Sequence, residues 1–301
     1  MFSIYILTHN EELEIAACIE SALLSEDVIV IDSYSSDRTV EIARRYPVRV
    51  IQHVFESHGK QRSWMLESVP PKHEWVYILE ADERMTPGLF QECLRTIQVQ
   101  QAQPQYVGYY VAERVMFMGR WIRRCTQYPR YQMRLFRHGQ VWFEDYGHTE
   151  REVCTGATGF LRETYPHYTS GKGFSRWIDK HNRYSSDEAT ETLRQLETGS
   201  VNWRDLLFGK TEVERRRALK NLSLRLPLRP IVRFLYMYFG LGGCWDGAAG
   251  FHWCLLQAFY EYLILLKVWE IRHLPVPQLD PELNGVPVLL QPEPDDFLLK
   301  T

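Results

Sequence analysis

Short apolar runs alternate with helical patterns over the first hundred residues of the chain. Apolar residues that recur every three or four positions predict helices over 11–24, 39–46 and 60–67, with Asn10 as the N-cap of the first. Continuous apolar runs predict strands at residues 2–7, 28–31, 48–54 and 75–79. Because strands that are apolar throughout are buried on both faces, the pattern predicts an α/β protein with a mostly parallel sheet flanked by helices.

The pattern changes further along the chain. Residues 106–165 are aromatic and rich in arginine, which predicts antiparallel strands and loops, and a helical pattern follows beyond Gly173. The longest uncharged piece of the apolar stretch 231–266 has 14 residues, whereas a membrane-spanning helix needs about 20. We expect a nucleotide-binding and catalytic domain over 1–170, a helical region over 171–272 and an extended tail over 273–301.

Composition narrows the class of protein. The 301 residues are 45% hydrophobic and 24% charged, which excludes a disordered chain and allows a sizeable core. A net charge of −3 gives no reason to expect a nucleic-acid partner. Six cysteines without a CxxC pair, and an opening apolar run without a basic start, predict a cytoplasmic protein with reduced thiols and no signal peptide.

Polar residues follow three of the predicted strands, at 8–11, 32–37 and 80–83. The carboxyl ends of parallel strands meet at one edge of a sheet, where ligands of such sheets bind. Glu80, Asp82 and Glu83 repel one another, so this group is typical of a site for Mg²⁺ or Mn²⁺. The alternative is a solvated acidic turn before the helix expected near Pro87.

A second acidic segment follows the second strand. The carboxylate of Asp32 can accept hydrogen bonds from a nucleobase imide or a ribose hydroxyl. Asp37 lies two residues before Thr39 and can instead cap the next helix. Both interpretations of Asp37 stay open.

Together these segments resemble the family 2 glycosyltransferases, which have the GT-A fold. Four segments occur in the family's order with spacings of about 24, 26 and 22 residues: 8–12, 32–39, 58–62 and the metal motif 80–83. Further segments at 134–137, 143–148, 167–168 and 180–184 resemble a bacterial subgroup that adds sugars to lipopolysaccharide core and exopolysaccharide lipid intermediates. The resemblance covers roughly residues 2–272.

The resemblance implies an inverting, metal-dependent transfer of sugar from a nucleotide donor, with UDP favoured, to a glycan or lipid-linked acceptor. It implies Mn²⁺ or Mg²⁺ at Asp82, assisted by Glu80. It places the general base at Asp145, His148 or Glu150. It assigns the donor to Thr8, Asn10, Glu11, Asp32, Ser35, Asp37, Lys60, Arg62, Ala81 and Arg134.

The chain departs from the family pattern at Glu80, Tyr34 and Ser63, where Asp, a small residue and Asn are usual. No carboxylate is lost, so we expect an intact enzyme. The alternative is a catalytically silent, membrane-bound adaptor that keeps the fold and binds nucleotide or glycan.

Arginines and aromatic residues form two further groups. Arginines between residues 120 and 137 suit contact with a diphosphate or a phospholipid acceptor, and Trp121, Tyr128 and Trp142 suit stacking on sugars, although core packing explains them equally well. Nine basic residues against three acidic ones between 204 and 233, followed by aromatic residues, predict an anionic membrane surface as partner. This interpretation locates the protein peripherally on the inner face of the cytoplasmic membrane, with a homodimer interface or a core hairpin as alternatives.

Overall fold

The computed structural model describes residues 1–146, 149–169, 171, 173–198 and 228–273, and two short paired strands at 278–279 and 287–288. The chain forms two compact units: Met1–Phe174 with Trp245–Ala249, and Ser175–Cys244 with Gly250–Thr301. His148, most of the basic stretch and most of the tail lie outside the described residues. The domain boundaries expected at 170 and 272 stay predictions.

Four parallel strands form one half of a mixed sheet in the first unit. They are β1 (Ser3–Thr8), β2 (Val28–Asp32), β3 (Arg49–Gln52) and β4 (Trp75–Glu80), in the order β4-β1-β2-β3. Every residue of β2 is buried, and β1 has one residue that is only half-buried. The continuous apolar runs therefore form strands that are covered on both faces, and the predicted α/β architecture is confirmed.

Further strands extend the sheet beyond β4 in the order β10-β5-β7-β4, with β6 paired to β5. Because β7 is antiparallel to both β4 and β5, and β10 is parallel to β5, strands β4, β5 and β10 end at the same edge. The expectation of antiparallel strands here is thus wrong for β10. A hairpin of β8 and β9 stands apart. The strands are β5 (Gly108–Phe117), β6 (Arg120–Trp121), β7 (Arg130–Arg137), β8 (Val141–Tyr146), β9 (Thr149–Cys154) and β10 (Thr158–Tyr168).

Helices pack on both faces of this sheet. Side chains of β1 alternate between two clusters, with Ile4 and Ile6 in one and Tyr5 in the other. Burying such a side chain contributes about 1.5–3 kcal/mol relative to leaving it exposed. The helices are α1 (Ile15–Ala22), α2 (Thr39–Ala43), α3 (His58–Ser68) and α4 (Pro87–Ala102).

Local sequence explains where these helices begin. The Ser57 hydroxyl accepts a hydrogen bond from the Lys60 amide at the start of α3, and Thr86 caps α4 ahead of Pro87. The prediction that Asn10 caps α1 is wrong, because α1 begins only at Ile15. The Asn10 side chain instead accepts a hydrogen bond from the Ser36 amide at 2.7 Å, which links two loops.

The C-terminal helices are α5 (Phe174–Thr198), α6 (Arg229–Leu235) and α7 (Gly247–His273), with a π-helical turn over Tyr236–Gly240 and a 3-10 turn over Gly243–Asp246. Ala189 of α5 packs against Ile264 and Val268 of α7. Arg229 of α6 pairs with Glu261 of α7 at 2.7 Å. The predicted helical character of this region is confirmed. Across the described ranges, every helix falls short of the length and apolarity that crossing a membrane requires.

Candidate active site

Three polar segments meet at the carboxyl edge of the parallel strands. In the sheet register Thr8 at the end of β1 lies beside Asp32 at the end of β2, and Leu7 lies beside Glu80 at the end of β4. The Ala81 amide donates to the Leu7 carbonyl at 3.0 Å and holds the acidic turn against β1. The proximity expected from strand order is therefore present.

Asp32 is fully buried and its carboxylate is held by neutral donors. It accepts from the Ser35 amide at 3.0 Å, from the Ser35 hydroxyl, and from the Gln52 side-chain amide at 2.9 Å. Beside it, the buried Thr8 hydroxyl has no hydrogen-bond partner among the residues that the structure describes. A buried polar atom without a partner is costly, so this hydroxyl is suited to a ligand.

The loops around Asp32 tie together the other residues expected to bind the donor. Just ahead of α2, Asp37 accepts from the Thr39 amide at 2.9 Å and from the Glu12 amide at 3.2 Å, although the N-cap position itself is Arg38. The Glu11 amide donates to the Thr39 hydroxyl at 2.7 Å. Asn10 adopts the left-handed backbone conformation, with a φ of 53°, so it does not continue into a right-handed helix. Hydrogen bonding therefore orders this loop pair before any ligand is bound.

The two basic residues of α3 have different surroundings. Lys60 is exposed and pairs with Glu56 at 2.8 Å. Arg62 is buried and lies between two carboxylates, 2.8 Å from Glu80 and 3.0 Å from Glu150. Arg62 therefore connects the acidic turn to the β8–β9 hairpin.

The acidic turn after β4 has a separate cationic partner for each carboxylate. Glu80 pairs with Arg62, Asp82 with His167 at 3.3 Å, and Glu83 with Arg134 at 2.5 Å. Partial burial raises the pKa of Glu80, but the Arg62 and Arg134 guanidinium groups outweigh it, and the pKa is lowered from its ordinary value. For Glu83, burial outweighs the attraction of Arg134 and raises the pKa to about 7.

Arg134 lies beneath the acidic turn with no exposed surface. Besides Glu83, its guanidinium contacts the Tyr165 hydroxyl at 3.2 Å and lies over the Tyr165 ring. The Glu83 side chain accepts from the Glu80 amide at 3.0 Å. Through these contacts Arg134 holds the shape of the acidic turn from its buried side. The family resemblance instead assigns Arg134 to binding of the donor.

Asp82 and His167 bring together donor atoms that suit a divalent cation. His167 Nε2 faces Asp82, and its Nδ1 faces Glu113 Oε2 at 3.4 Å, an arrangement in which an outer carboxylate orients a metal-binding imidazole. Burial lowers the pKa of His167, but both carboxylates outweigh it and raise the pKa well above its ordinary value. No group of three or more metal-binding side chains occurs in the part of the chain that the structure describes. Two protein ligands suffice where substrate phosphates and water complete the shell, so these residues fit Mg²⁺ or Mn²⁺.

The two described residues among the expected bases differ in their contacts. Asp145 uses both oxygens at the start of α3, accepting from Ser57 Oγ at 2.8 Å and from the Gly59 amide at 3.1 Å. A Cβ at Gly59 would lie only 2.7 Å from that carboxylate, so the contact requires glycine. Glu150 is half-buried beside Arg62, and burial, opposed by Arg62, raises its pKa. His148 lies outside the described residues.

Comparison with known proteins decides the family. The model of glycosyl transferase family 2 matches residues 3–157, which is half of the chain. The chain belongs to glycosyl transferase family 2. Its α/β sheet is accordingly of the GT-A type, and the family implies a nucleotide-sugar donor and a glycan acceptor.

Two curated glycosyltransferases are similar over nearly the whole chain. The lipopolysaccharide core biosynthesis glycosyltransferase LpsC of Rhizobium meliloti is 27% identical over 280 residues, which cover 90% of this chain and 92% of LpsC. The glycosyltransferase RT0209 of Rickettsia typhi is 27% identical over 278 residues, covering 89% of this chain and 87% of that protein. Similarity to these glycosyltransferases therefore continues beyond the matched domain.

Solved structures resemble this chain more distantly. Staphylococcus aureus TarS, residues 1–349, is 12% identical at a TM-score of 0.39 and covers 93% of this chain and 94% of that one. Glucosyl-3-phosphoglycerate synthase from Mycobacterium tuberculosis, in complex with Mn²⁺ and UDP, is 20% identical at a TM-score of 0.31 and covers 38% and 44%. Likenesses at these scores are too distant to bear on the ligands of this family 2 chain.

Two residues of the candidate site, His167 and Glu113, are not among the site residues expected from the sequence. Strands β10 and β5 bring them together beside the acidic turn. His167 lies 85 positions after Asp82, and only the family resemblance at 167–168 marks it in the sequence. Glu113 stands between Ala112 and Arg114 in a mostly apolar strand, where one acidic residue carries no specific signal.

Proposed function

We propose that this chain transfers a sugar from a UDP-linked donor to an acceptor hydroxyl, inverts the anomeric centre and requires Mn²⁺ or Mg²⁺. The observation that carries the proposal is the meeting of three ligand-suited groups at one sheet edge. These are the Asp32 carboxylate, the Thr8 hydroxyl, which lacks a partner among the described residues, and the facing pair of Asp82 and His167. Such an edge is where α/β sheets bind nucleotides.

The donor nucleotide would lie over the loops that follow β1 and β2. Asp32 would exchange a hydrogen bond from Gln52 or Ser35 for one from the base or ribose, at little cost because both donors are neutral. The pocket would be shaped by Thr8, Asn10, Glu11, Ser35 and Asp37. Ala81 would lie beside the diphosphate. Lys60 and Arg62 would contribute positive charge nearby.

Asp82 and His167 would hold the cation, with Glu80 assisting from across the turn. The bound ion would offset negative charge on the leaving nucleoside diphosphate. Glu113 would keep the His167 ring oriented, and binding of the ion would displace the proton that the raised pKa of His167 retains.

Glu150 is the general base in this proposal. Its partly buried carboxylate has a raised pKa, which suits removal of a proton from an acceptor hydroxyl at neutral pH. Asp145 has both oxygens engaged at the start of α3, so we assign it the task of positioning that helix. His148 remains an alternative base.

The acceptor is a saccharide of a bacterial surface glycan, with lipopolysaccharide favoured. Support comes from the similarity to LpsC, which extends over 90% of this chain. At this coverage, the similarity also takes in most of the C-terminal helices.

Calorimetry tests binding of the donor nucleotide, and a UDP-release assay then tests turnover. UDP should bind in the presence of Mn²⁺ and more weakly after chelation, and GDP with Mn²⁺ serves as the matched control. Release of UDP from UDP-sugars in the presence of glycan acceptors then separates an enzyme from a silent adaptor. Binding without release under any acceptor would favour the adaptor, and absence of UDP binding would overturn the proposal.

An exposed apolar stripe on α7 supports attachment to a membrane surface. Phe251, Leu255, Phe259, Tyr262 and Leu266 follow one another at spacings of three or four residues and are each 38–49% exposed. Helical geometry places them on one side, with the packed residues on the other. We assign this stripe to the interface of an anionic bilayer, since a basic sequence precedes α6. The protein would then act at the inner face of the cytoplasmic membrane.

Co-sedimentation with vesicles of anionic phospholipid tests the stripe. Leu255→Gln combined with Phe259→Gln should abolish most binding, whereas Leu13→Gln combined with Val99→Gln, at exposed sites of the first unit, should preserve it. Binding should also weaken in salt. If the stripe variant changes the oligomeric state and leaves vesicle binding intact, the stripe is a homodimer interface instead.

A further inference from the structure

A cluster of arginines surrounds Trp121 at the end of β5. Met116 and Phe117 of β5 pair with Trp121 and Arg120 of the short strand β6. The guanidinium carbon of Arg123 lies 4.7 Å from the centre of the Trp121 ring, and that of Arg114 lies 5.6 Å from it. The indole therefore holds two guanidinium groups by cation–π contacts, so stacking of Trp121 on a sugar is not its present role.

The main chain that carries these arginines is held by one carboxylate. Asp246 accepts from the Arg123 amide at 3.2 Å and from the Arg124 amide at 3.0 Å. The next residue, Gly247, has a φ of 67°, and a Cβ at this position would lie 3.3 Å from Arg120 Nη1, so a larger residue would crowd that guanidinium. Asp246 thus holds the backbone rather than neutralising the side chains.

The guanidinium groups of the cluster have no ion-pair partner among the described residues. Within the described ranges, Arg114, Arg120, Arg123 and Arg124 make no ion pair, and the last three are exposed. The neighbouring acid Glu113 is already engaged by Arg130 at 2.7 Å and by His167. Exposed arginines that lie within five positions of the chain and have no ion pair in the part that the structure describes are suited to bind an anion through bidentate hydrogen bonds.

The position of the cluster relates it to the acceptor. Strands β4 and β5 end at the same edge, and Glu113, the residue before Arg114, contacts His167 beside Asp82. The loops assigned to the donor follow β1 and β2, which lie on the other side of β4 in the sheet. A group bound by the arginines would therefore approach the metal pair from the side opposite the nucleotide.

We propose that Arg120, Arg123 and Arg124 bind an anionic group, a phosphate or a carboxylate, on the sugar acceptor. The inference rests on the proposed transferase function, because it identifies the class of acceptor for that same site. The exposed ring of Tyr128, whose centre lies 5.1 Å from that of Trp121, is placed to contact the sugar that carries the anion.

Binding of three simple sugars tests the inference by nuclear magnetic resonance titration. Glucose, glucose 6-phosphate and glucuronate are added to the full chain in saturating UDP and diamagnetic Mg²⁺, which occupy the proposed donor site. We expect Kd at least tenfold lower for one or both anionic sugars than for glucose. Preference for the phosphate or for the carboxylate then identifies the anion.

Two matched variants locate the effect. Arg123→Gln with Arg124→Gln should remove the tenfold preference. Arg44→Gln with Arg95→Gln removes the same charge at exposed positions on other helices and should retain the preference. Thermal midpoints of both variants should stay near that of the wild type, since all four side chains are exposed.

The outcomes separate this inference from the proposed function. Equal affinity for all three sugars, or a preference that survives in the Arg123/Arg124 variant, overturns the inference even when UDP binds. Failure of UDP to bind the wild type overturns the proposed function, whereas a preference lost only in the Arg123/Arg124 variant would still establish the anion site.

Discussion

Two sets of carboxylates at the same sheet edge are held in opposite ways. Asp32 and Asp37, which follow β2, accept hydrogen bonds from neutral amides and hydroxyls. The carboxylates of the acidic turn at the end of β4 face charged partners: Glu80 pairs with Arg62, Asp82 with His167, and Glu83 with Arg134. The edge therefore has a polar side and an ionic side.

The difference suits the proposed binding of the two ends of a nucleotide sugar at one edge. Neutral hydrogen bonds are exchanged for those of a base or ribose at low cost. Ion pairs instead hold several carboxylates close together in a partly buried turn. Without their cationic partners, these carboxylates would repel one another. We therefore expect substitutions on the ionic side to cost more than those on the polar side.

The largest effect is expected for Asp82→Asn. The change keeps the shape of the side chain but removes the charge that would hold the cation, so transfer should fall about a thousandfold or more. UDP release with Mn²⁺ measures it, and Asp179→Asn on the exposed face of α5 is the control. Retention of a tenth of wild-type turnover would remove Asp82 from the metal site.

Arg134→Met should cause the next largest loss. We expect this loss in the stability of the fold as well as in ligand binding. It leaves Glu83 buried without its cation, which costs about 3–5 kcal/mol in the free energy of unfolding. Urea denaturation measures the loss, and adding Glu83→Gln should recover part of it. Arg38→Met breaks an exposed pair and should change little. Equal effects at the two sites would show that Arg134 does not support the turn.

Glu150→Gln separates the two described candidates for the base. Loss of a general base lowers kcat by about a hundredfold or more, while KM for the donor changes little. Asp145→Asn should instead lower the thermal midpoint through α3 and leave kcat within a few-fold of wild type. The reverse pattern would identify Asp145 as the base.

Asp32→Asn, on the polar side, should have a smaller effect. Loss of the charge weakens hydrogen bonds from the nucleoside, so the affinity for UDP should fall about tenfold. Because Asp32 does not contact the acidic turn, the factor by which Mn²⁺ improves UDP binding should stay the same. A change in that factor, measured by calorimetry, would mean that the two sides of the edge are coupled.

The smallest effect concerns Asp27, a buried carboxylate just before β2, at the opposite edge. Burial raises its pKa, but hydrogen bonds from Ser3, the Lys72 amide and Arg49 outweigh burial and lower the pKa. A lowered pKa stabilises the fold above about pH 4, and this contribution is lost as the pH falls through the folded-state value. Asp27→Asn should therefore cost about 1 kcal/mol at pH 7, discounted for the part-exposed Arg49, and progressively less as the pH falls below about 4. Urea denaturation across this pH range measures the cost, and a constant difference would contradict the prediction.

Much of the first unit follows from local pattern. Continuous apolar runs predict β1, β2 and β4 to within a residue or two, because a strand buried on both faces needs no polar position. The start of α1 is predicted four residues early, since Asn10 has a capping side chain but bonds to Ser36 instead. The parallel placement of β10 escapes prediction because pairing direction depends on partners distant in the chain.

The candidate site shows the same division. The sequence alone determined which polar segments end the strands and that they resemble glycosyl transferase family 2, because both depend on residue type and spacing. Only the tertiary structure decided that His167 faces Asp82, that Arg134 is buried beneath the acidic turn and that Asp145 holds α3. Those contacts join residues 51–88 positions apart. Local sequence cannot specify them, because they arise from sheet order and from the requirement that each buried charge has a partner.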